Sequence, residues 1–292
     1  MSQRMKVILD TDIGTDIDDA LCLSYLLAEE RCDLLGITTV TGDTQVRARI
    51  ADAICQSAGV EIPIYAGRQE VILTGRGQPE VPQGEVLDIL PHRRSFPTDY
   101  LGFMQRTIRE NPGEVTLLAV GPMTNVGLLF AMDPELPKML KQTVMMIGQF
   151  LAGGAEWNAL VDPVAAALVY RYSKNLSIGL DVTTKCVISA QEARSKFTGP
   201  ILETVLKLAE VWFRGRDKIV FHDPLAGAVI FEPDLCTYRV GHVSVECNSK
   251  GEEGRTYWKE NAAGNPHRIA VSVEQKRFFE HYFDTIANYT RE

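Results

Sequence analysis

Short apolar runs alternate with amphipathic stretches through the first two thirds of the chain. The runs at 7–9, 34–39, 115–120, 144–147 and 178–182 are too short for helices, and their apolar character predicts strands covered on both faces. Between them, apolar residues return at three- and four-residue spacing over 19–29, 46–58, 99–110, 124–132, 163–172 and 201–214, which predicts helices. A short strand at 62–65 follows the second helix. Strand and helix in alternation predict an α/β fold with a mostly parallel, Rossmann-like central sheet flanked by helices.

Two regions depart from this rhythm. Residues 66–97 are rich in Gly, Pro and charge with little periodicity, and so long a segment is either a lid or an edge excursion. Beyond about residue 219 the pattern is mixed: an alternating strand at 240–246, a polar loop at 248–254 and a terminal helix at 273–289. No linker-like composition separates the parts, so residues 1–292 are expected to form a single domain.

The 292 residues carry a net charge of −8 with no Lys/Arg run, which argues against nucleic acid or an anionic membrane and for a small-molecule partner. The first residues lead straight into a strand without the apolar stretch of a signal peptide, and no run reaches about 18 apolar residues, so a cytoplasmic protein is expected. The six cysteines contain no C-x-x-C pair, which indicates neither a zinc site nor a disulfide framework.

The chemistry concentrates where the first strand ends. Asp10-Thr-Asp12-Ile-Gly-Thr-Asp16-Ile-Asp18-Asp19 places five carboxylates within ten residues, just before a helix. Capping accounts for one of Asp18 and Asp19, and Asp16 reads as solvated, but neither reason covers Asp10 and Asp12 at the end of a buried strand. Carboxylates so close cannot all ionise without a counter-charge, and a hard cation is the simplest remedy. Other strand ends offer partners: Val120-Gly-Pro-Met-Thr-Asn125, whose Gly-Pro turn leaves the Val120 carbonyl free; Glu156-Trp-Asn158, suited to binding hydroxyls; and His222-Asp223-Pro224, which alone reads as a capping Asp beside a surface His. An all-oxygen ligand set suits calcium or magnesium, and several acids at irregular spacing favour calcium.

Together these motifs resemble the nucleoside hydrolase family, also called inosine-uridine preferring nucleoside hydrolases. The amino-terminal signature matches at Asp10, Asp12, Gly14, Asp18, Asp19 and Ala20, with two extra residues between the Gly and the Asp pair. It continues in family order at Ile37-Thr-Thr-Val-Thr-Gly42, Val120 to Asn125, Ala155-Glu-Trp-Asn158 with Asp162-Pro163, Leu180-Asp-Val-Thr183 and His222-Asp223-Pro224. The resemblance implies hydrolysis of the N-glycosidic bond of a ribonucleoside, with Ca2+ held by Asp12, Asp19, Asp223 and the backbone carbonyl of Val120. It implies further that Asp12 takes the proton of the metal-bound water, that Asp18 holds a ribose hydroxyl, that Glu156 and Asn158 hold the sugar further round, and that Asp10 supports the metal from behind. His222 is the matching general acid for the leaving base, because imidazole titrates near neutrality. A homodimer or homotetramer is implied as well.

The chain departs from the family at three places. Asp43 stands where members usually carry an Asn near the metal and ribose, which makes Asp43 a candidate substrate contact. Gln149-Phe150 replaces a Gly and a ribose-binding Asn, and the base-side His expected within 69–90 is missing. Trp157, Trp212, Phe221, Tyr257 and Trp258 are candidate aromatics for the base, Tyr257 and Trp258 being nominated by their place beside the polar loop. Two other readings remain open. A haloacid dehalogenase-type phosphatase also places Asp-x-Asp after its first strand, although Ile13 then interrupts its pattern and Asp18-Asp19 has no role. A non-catalytic nucleoside- or ribosyl-binding protein on the same fold would explain the departures.

Overall fold

A computed structural model describes residues 4–260 and 267–289. Its strands are β1 (Met5–Thr11), β2 (Cys32–Thr39), β3 (Ile64–Ala66), β4 (Val115–Ala119), β5 (Gln142–Met145), β6 (Asn175–Ser177), β7 (Val187–Ser189), β8 (Lys218–Val220), β9 (Cys236–Val245), β10 (Thr256–Glu260) and β11 (His267–Val273). Nine of them form one sheet in the order β10-β9-β11-β6-β5-β4-β1-β2-β3, while β7 and β8 pair separately. The sheet is parallel from β3 through β11, and β9 and β10 extend it antiparallel. This is the mixed α/β architecture, with a mostly parallel sheet flanked by helices, that the sequence pattern predicts.

Alternation along β1 divides the core into two layers. Val7 and Leu9 face the helices Asp18–Ala28, Thr44–Ala58, Pro200–Trp212, His222–Ala228 and Gln275–Ala287, whereas Ile8 faces the helices Tyr100–Glu110, Thr124–Met132 and Pro163–Tyr172. From β1 the chain runs outward to β2 and β3, then returns to β4 on the other side of β1. That reversal opens a crevice at the carboxyl ends of β1 and β4, the position where open α/β sheets bind ligands.

Three predicted elements shift. The strand expected at 178–182 lies at Asn175–Ser177, and Leu180–Thr183 is a helical turn instead. Gly179 breaks the strand and accepts the Val182 and Thr183 N–H groups, while the Asp181 carboxylate turns to the N–H groups of Phe150 and Leu151. The single strand expected at 240–246 is part of a longer β9, and β10 and β11 are additional. The terminal helix begins at Gln275 because Val273 still belongs to β11.

The aperiodic segment 66–97 lies over the crevice, with a 3-10 helix at Pro82–Ile89. Gln83 donates from Nε2 to the carbonyls of Thr15 (3.2 Å) and Asp16 (3.0 Å), and the N–H of Gly77 bonds the Val161 carbonyl at 3.3 Å. Gly14 has φ +118°, and a Cβ there would meet Val81 Cγ1 at 2.5 Å, so this close approach requires glycine.

The carboxyl-terminal helix is held by aromatic packing. Phe278 and Tyr282 are fully buried, both rings pack against Phe221, and the Tyr282 hydroxyl donates to the Leu21 carbonyl at 3.0 Å. Phe278→Ala is expected to lower stability by about 3–5 kcal/mol, read as a fall in the urea unfolding midpoint. A loss below about 1 kcal/mol would mean that this helix is not docked as described.

Candidate active site

Asp10 is fully buried beneath the crevice. Its Oδ1 accepts from Thr38 Oγ1 and from Asn125 Nδ2 (2.7 Å), and its Oδ2 has no hydrogen-bond partner among the described residues. Burial pushes its carboxyl up to about 7, against the hydrogen bonds that favour the ionised form. Asp10 therefore stands behind the site.

Above it lies a cavity of about 290 Å³ that gathers every nominated catalytic, metal-binding and sugar-binding residue except Asp10 and Asp43, with Trp157 and Trp212 among the nominated aromatics. Asp18 and Asp19 enter it from the first turn of the helix Asp18–Ala28, and Asp223 from the first turn of the helix His222–Ala228. One oxygen from each of the three lies within 4.8 Å of the others. All three are at most 4% exposed, and burial followed by neighbouring carboxylates holds each well above the usual carboxylate range. Relief within the protein is slight: the Asp223 N–H donates to Asp18 Oδ2 at 3.2 Å, and Thr11 Oγ1 donates to Asp19 Oδ1. Three desolvated carboxylates with a carbonyl on the same cavity wall make an all-oxygen donor set, which fits a hard metal ion.

The remaining nominated residues are equally placed by their elements. Asp12 leaves the end of β1 and accepts at Oδ2 from Gln78 Nε2 at 2.6 Å. Among the described residues the Val120 carbonyl receives no backbone donor in the Gly-Pro turn but accepts Asn158 Nδ2 at 2.6 Å, which leaves it one lone pair. Glu156 caps the helix Trp157–Val161, taking the N–H groups of Asn158, Ala159 and Gly148, and burial lifts it to about 7. Three of its roughly four acceptor positions are thereby occupied.

His222 corrects the reason given for it from sequence. Its Nδ1 lies 2.7 Å from Thr183 Oγ1, and burial pushes the imidazole down to about 4. The ring is therefore neutral near pH 7. A Thr183 hydroxyl that donates to Nδ1 puts the ring proton on Nε2, where a neutral imidazole donates a hydrogen bond.

Asp43 is not in the cavity. It is exposed and caps the helix Thr44–Ala58, accepting the Val46 N–H at 3.0 Å. Capping satisfies an otherwise open backbone donor, and that requirement fixes the carboxylate away from the crevice. Tyr257 and Trp258 also lie elsewhere, Trp258 packing edge-on against Phe150 with ring centroids 6.5 Å apart. Trp157 and Trp212 do line the cavity, while Phe221 is buried beneath the terminal helix.

Sequence reasoning missed four participants. Asp16, read as solvated, lines the cavity together with Arg216, whose guanidinium stacks on the Trp212 ring at 3.8 Å from its centroid. Gln78 comes from the aperiodic segment, where no pattern marks it. Arg47 is fully buried, and the one signal for it is a cation on the apolar side of a predicted helix.

The mostly parallel sheet thus carries at its carboxyl edge an acidic crevice whose donor set fits a metal ion. Residues 7–280 match the family described as inosine-uridine preferring nucleoside hydrolase. The chain is 29% identical over 272 residues to uridine nucleosidase 1 of Arabidopsis thaliana, covering 84% of this chain and 80% of that protein. It is 27% identical to the pyrimidine-specific ribonucleoside hydrolase RihB of Escherichia coli, covering 93% of both. It superposes on the purine-preferring ribonucleoside hydrolase of Gardnerella vaginalis with a TM-score of 0.85 at 25% identity, covering 97% of this chain and 98% of that one. The chain belongs to the inosine-uridine preferring nucleoside hydrolase family, and it is a ribonucleoside hydrolase.

The position of Asp10 has a consequence for stability. The folded chain keeps this proton up to about pH 7, whereas an ordinary aspartate loses it near 3.8, so the contribution is complete below pH 3.8 and is lost as pH rises through 7. Asp10→Asn, which cannot ionise, should therefore gain on the parent by about 1–4 kcal/mol between pH 5 and pH 8, measured by urea unfolding in chelator. A difference that does not change with pH would show that Asp10 titrates as an exposed aspartate does.

Proposed function

We propose that this hydrolase cleaves the N-glycosidic bond of a small ribonucleoside to ribose and free base, with calcium as its metal and Asp12 as its general base. The observation that carries this reading is the meeting of Asp18, Asp19 and Asp223 within 4.8 Å, on the wall of the same cavity as Asp12, Glu156 and Asn158. Asp19 and Asp223, with Asp12 and the Val120 carbonyl, would hold the ion, and Asp18 lies beside them for a ribose hydroxyl. Calcium held there would lower the pKa of a coordinated water and orient the sugar.

The residues of the chain supply the rest. Gln78 occupies Asp12 Oδ2, leaving Oδ1 for the proton lost as water forms its bond to C1′. The C1′–N bond breaks with its electron pair going to the base, and the oxocarbenium-like charge on the sugar is stabilised by the surrounding carboxylates. Glu156 and Asn158, already fixed by backbone contacts, present their remaining polar capacity to the far side of the sugar. Neutral His222 donates a hydrogen bond from Nε2 to the departing base, and the proton that completes the free base comes from solvent. The similar proteins named above differ in base preference, so kinship alone assigns none here. Asp16, Trp212 and Arg216 are the residues of this chain that would set it.

The test is a release assay on purified protein with purine and pyrimidine nucleosides and p-nitrophenyl riboside. Ribose release that a calcium chelator abolishes and calcium restores is expected, with Asp12→Asn losing at least about 10³-fold in kcat while keeping its fold. Turnover indifferent to chelator would remove calcium from the mechanism, and an active Asp12→Asn would remove the base. With verified calcium and no release from any substrate, the binding-protein reading takes its place.

His222→Ala separates two roles. A hydrogen bond to the leaving base predicts a loss of about 10²-fold for natural nucleosides and little for p-nitrophenyl riboside, whose leaving group needs no help. An equal loss for both would assign His222 to orienting Asp223 instead.

A further inference from the structure

Gln78 sits between a group that can only donate and a group that, when ionised, only accepts. The Trp157 indole N–H donates to Gln78 Oε1, and Gln78 Nε2 donates to Asp12 Oδ2 at 2.6 Å. An indole has no acceptor and a carboxylate no donor, so the amide can adopt only one orientation, with its NH2 toward Asp12. Gln78 is 7% exposed, so water does not compete freely for either bond.

The backbone of this relay is pinned by one side chain. Arg47, fully buried, donates from Nη1 to the carbonyl of Asp12 and to that of Ile13 (3.1 Å), and from Nη2 to the carbonyl of Gln78 at 3.2 Å. It thus ties together the two chain segments whose side chains meet in the Gln78–Asp12 hydrogen bond. The indole is restrained in turn by the Arg76 guanidinium, 4.9 Å from its ring centroid. The Gly77 N–H bond to the Val161 carbonyl binds the same segment to the helix that carries Trp157.

We propose that Gln78 is a positioning residue of the reaction: oriented by Trp157 and anchored by Arg47, it holds the Asp12 carboxylate in the rotamer that offers Oδ1 to the attacking water. The inference rests on Asp12 acting as the base. Removing the bond to Oδ2 frees the carboxylate to rotate, and a misplacement of about 1 Å at a reacting group is enough for a 10²-fold loss. Because the relay acts on the water side, the loss is the same whatever base departs.

The experiment compares Gln78→Leu, Trp157→Phe and the double variant as calcium-loaded enzymes, with uridine, inosine and p-nitrophenyl riboside, recording kcat, KM and thermal midpoint. Gln78→Leu is expected to lose about 10- to 100-fold in kcat, with KM within about threefold and equally for every substrate turned over. Trp157→Phe, which keeps the ring and removes the N–H, should lose about fivefold, and the double variant should match Gln78→Leu within about twofold because the indole acts only through the amide. Parent-like kcat in Gln78→Leu, a change confined to KM, or additive losses in the double variant would overturn the relay. If Gln78→Leu does not fold, Trp157→Phe carries the test: a parent-like midpoint with reduced kcat supports the relay, and unchanged kcat overturns it. Asp12→Asn is the control for the reading beneath. An active Asp12→Asn removes that reading, whereas an inactive one beside a parent-like Gln78→Leu removes the relay alone.

Discussion

Asp18, Asp19 and Asp223 are buried with their oxygens within 4.8 Å of one another, and the rest of the site is arranged around that repulsion. At an effective dielectric of about 20, each ionised pair at such a distance repels by roughly 3 kcal/mol before desolvation is counted. The fold relieves this only in part. Two helix amino termini point their first turns at the cavity, where the dipole favours negative charge. Arg47 lies close enough to lower the proton affinity of Asp12 and Asp19 but spends its donors on backbone carbonyls and the Thr15 hydroxyl, so its charge compensates several acids without neutralising any one. The cavity is left with a deficit of positive charge, which a bound metal ion would supply.

The sheet makes this crowding possible. A strand rigidly hydrogen-bonded on both sides, as β1 is between β2 and β4, ends at a defined place, and the reversal of chain direction around it leaves that end uncovered by its own connections. Asp12 and Val120 issue from neighbouring strand ends, while Glu156 and Asn158 belong to the short helix following β5. The polar core beneath them is equally built: Asn125 bridges Asp10 and the Thr39 carbonyl, so the second turn of the crevice is bonded to the first and to β2. The half of the cavity built on the strand ends is therefore braced by the sheet.

What the sequence made legible follows from this. Continuous apolar runs marked the central strands because both their faces are buried, and the acidic turn stood out because no solvated loop concentrates acids behind such a run. The antiparallel extension was only partly visible, since β10 alternates exposed Tyr257, Lys259 and Glu260 with inward Thr256 and Trp258 and is five residues long. Asp43 was misplaced because an acid before a helix satisfies two rules, and local capping overrode likeness to a motif. The protonation of His222 depends on burial by residues distant in sequence, so nearness of imidazole to neutrality was no guide to it. Gln78 carried no signal, because its partners are fixed by tertiary contact.

The other half of the cavity has a different origin. The acidic turn places Asp16 on the cavity wall and is held from outside the sheet: Thr15 Oγ1 donates to the Glu80 carbonyl, Gln83 donates to the carbonyls of Thr15 and Asp16, and Arg47 Nη1 donates to Thr15 Oγ1 at 3.1 Å. The turn, the covering segment and the buried arginine thus form one bonded unit. Beside it, Trp212 and Arg216 end the helix Pro200–Trp212 and the turn after it, where Arg214 pairs with Glu85 of the cover. None of these residues pairs in the sheet or belongs to the carboxylate trio. Substitutions there can reshape what the cavity accepts while the strand ends persist, and Gln78, which belongs to the cover yet bonds to Asp12, is where the two halves meet.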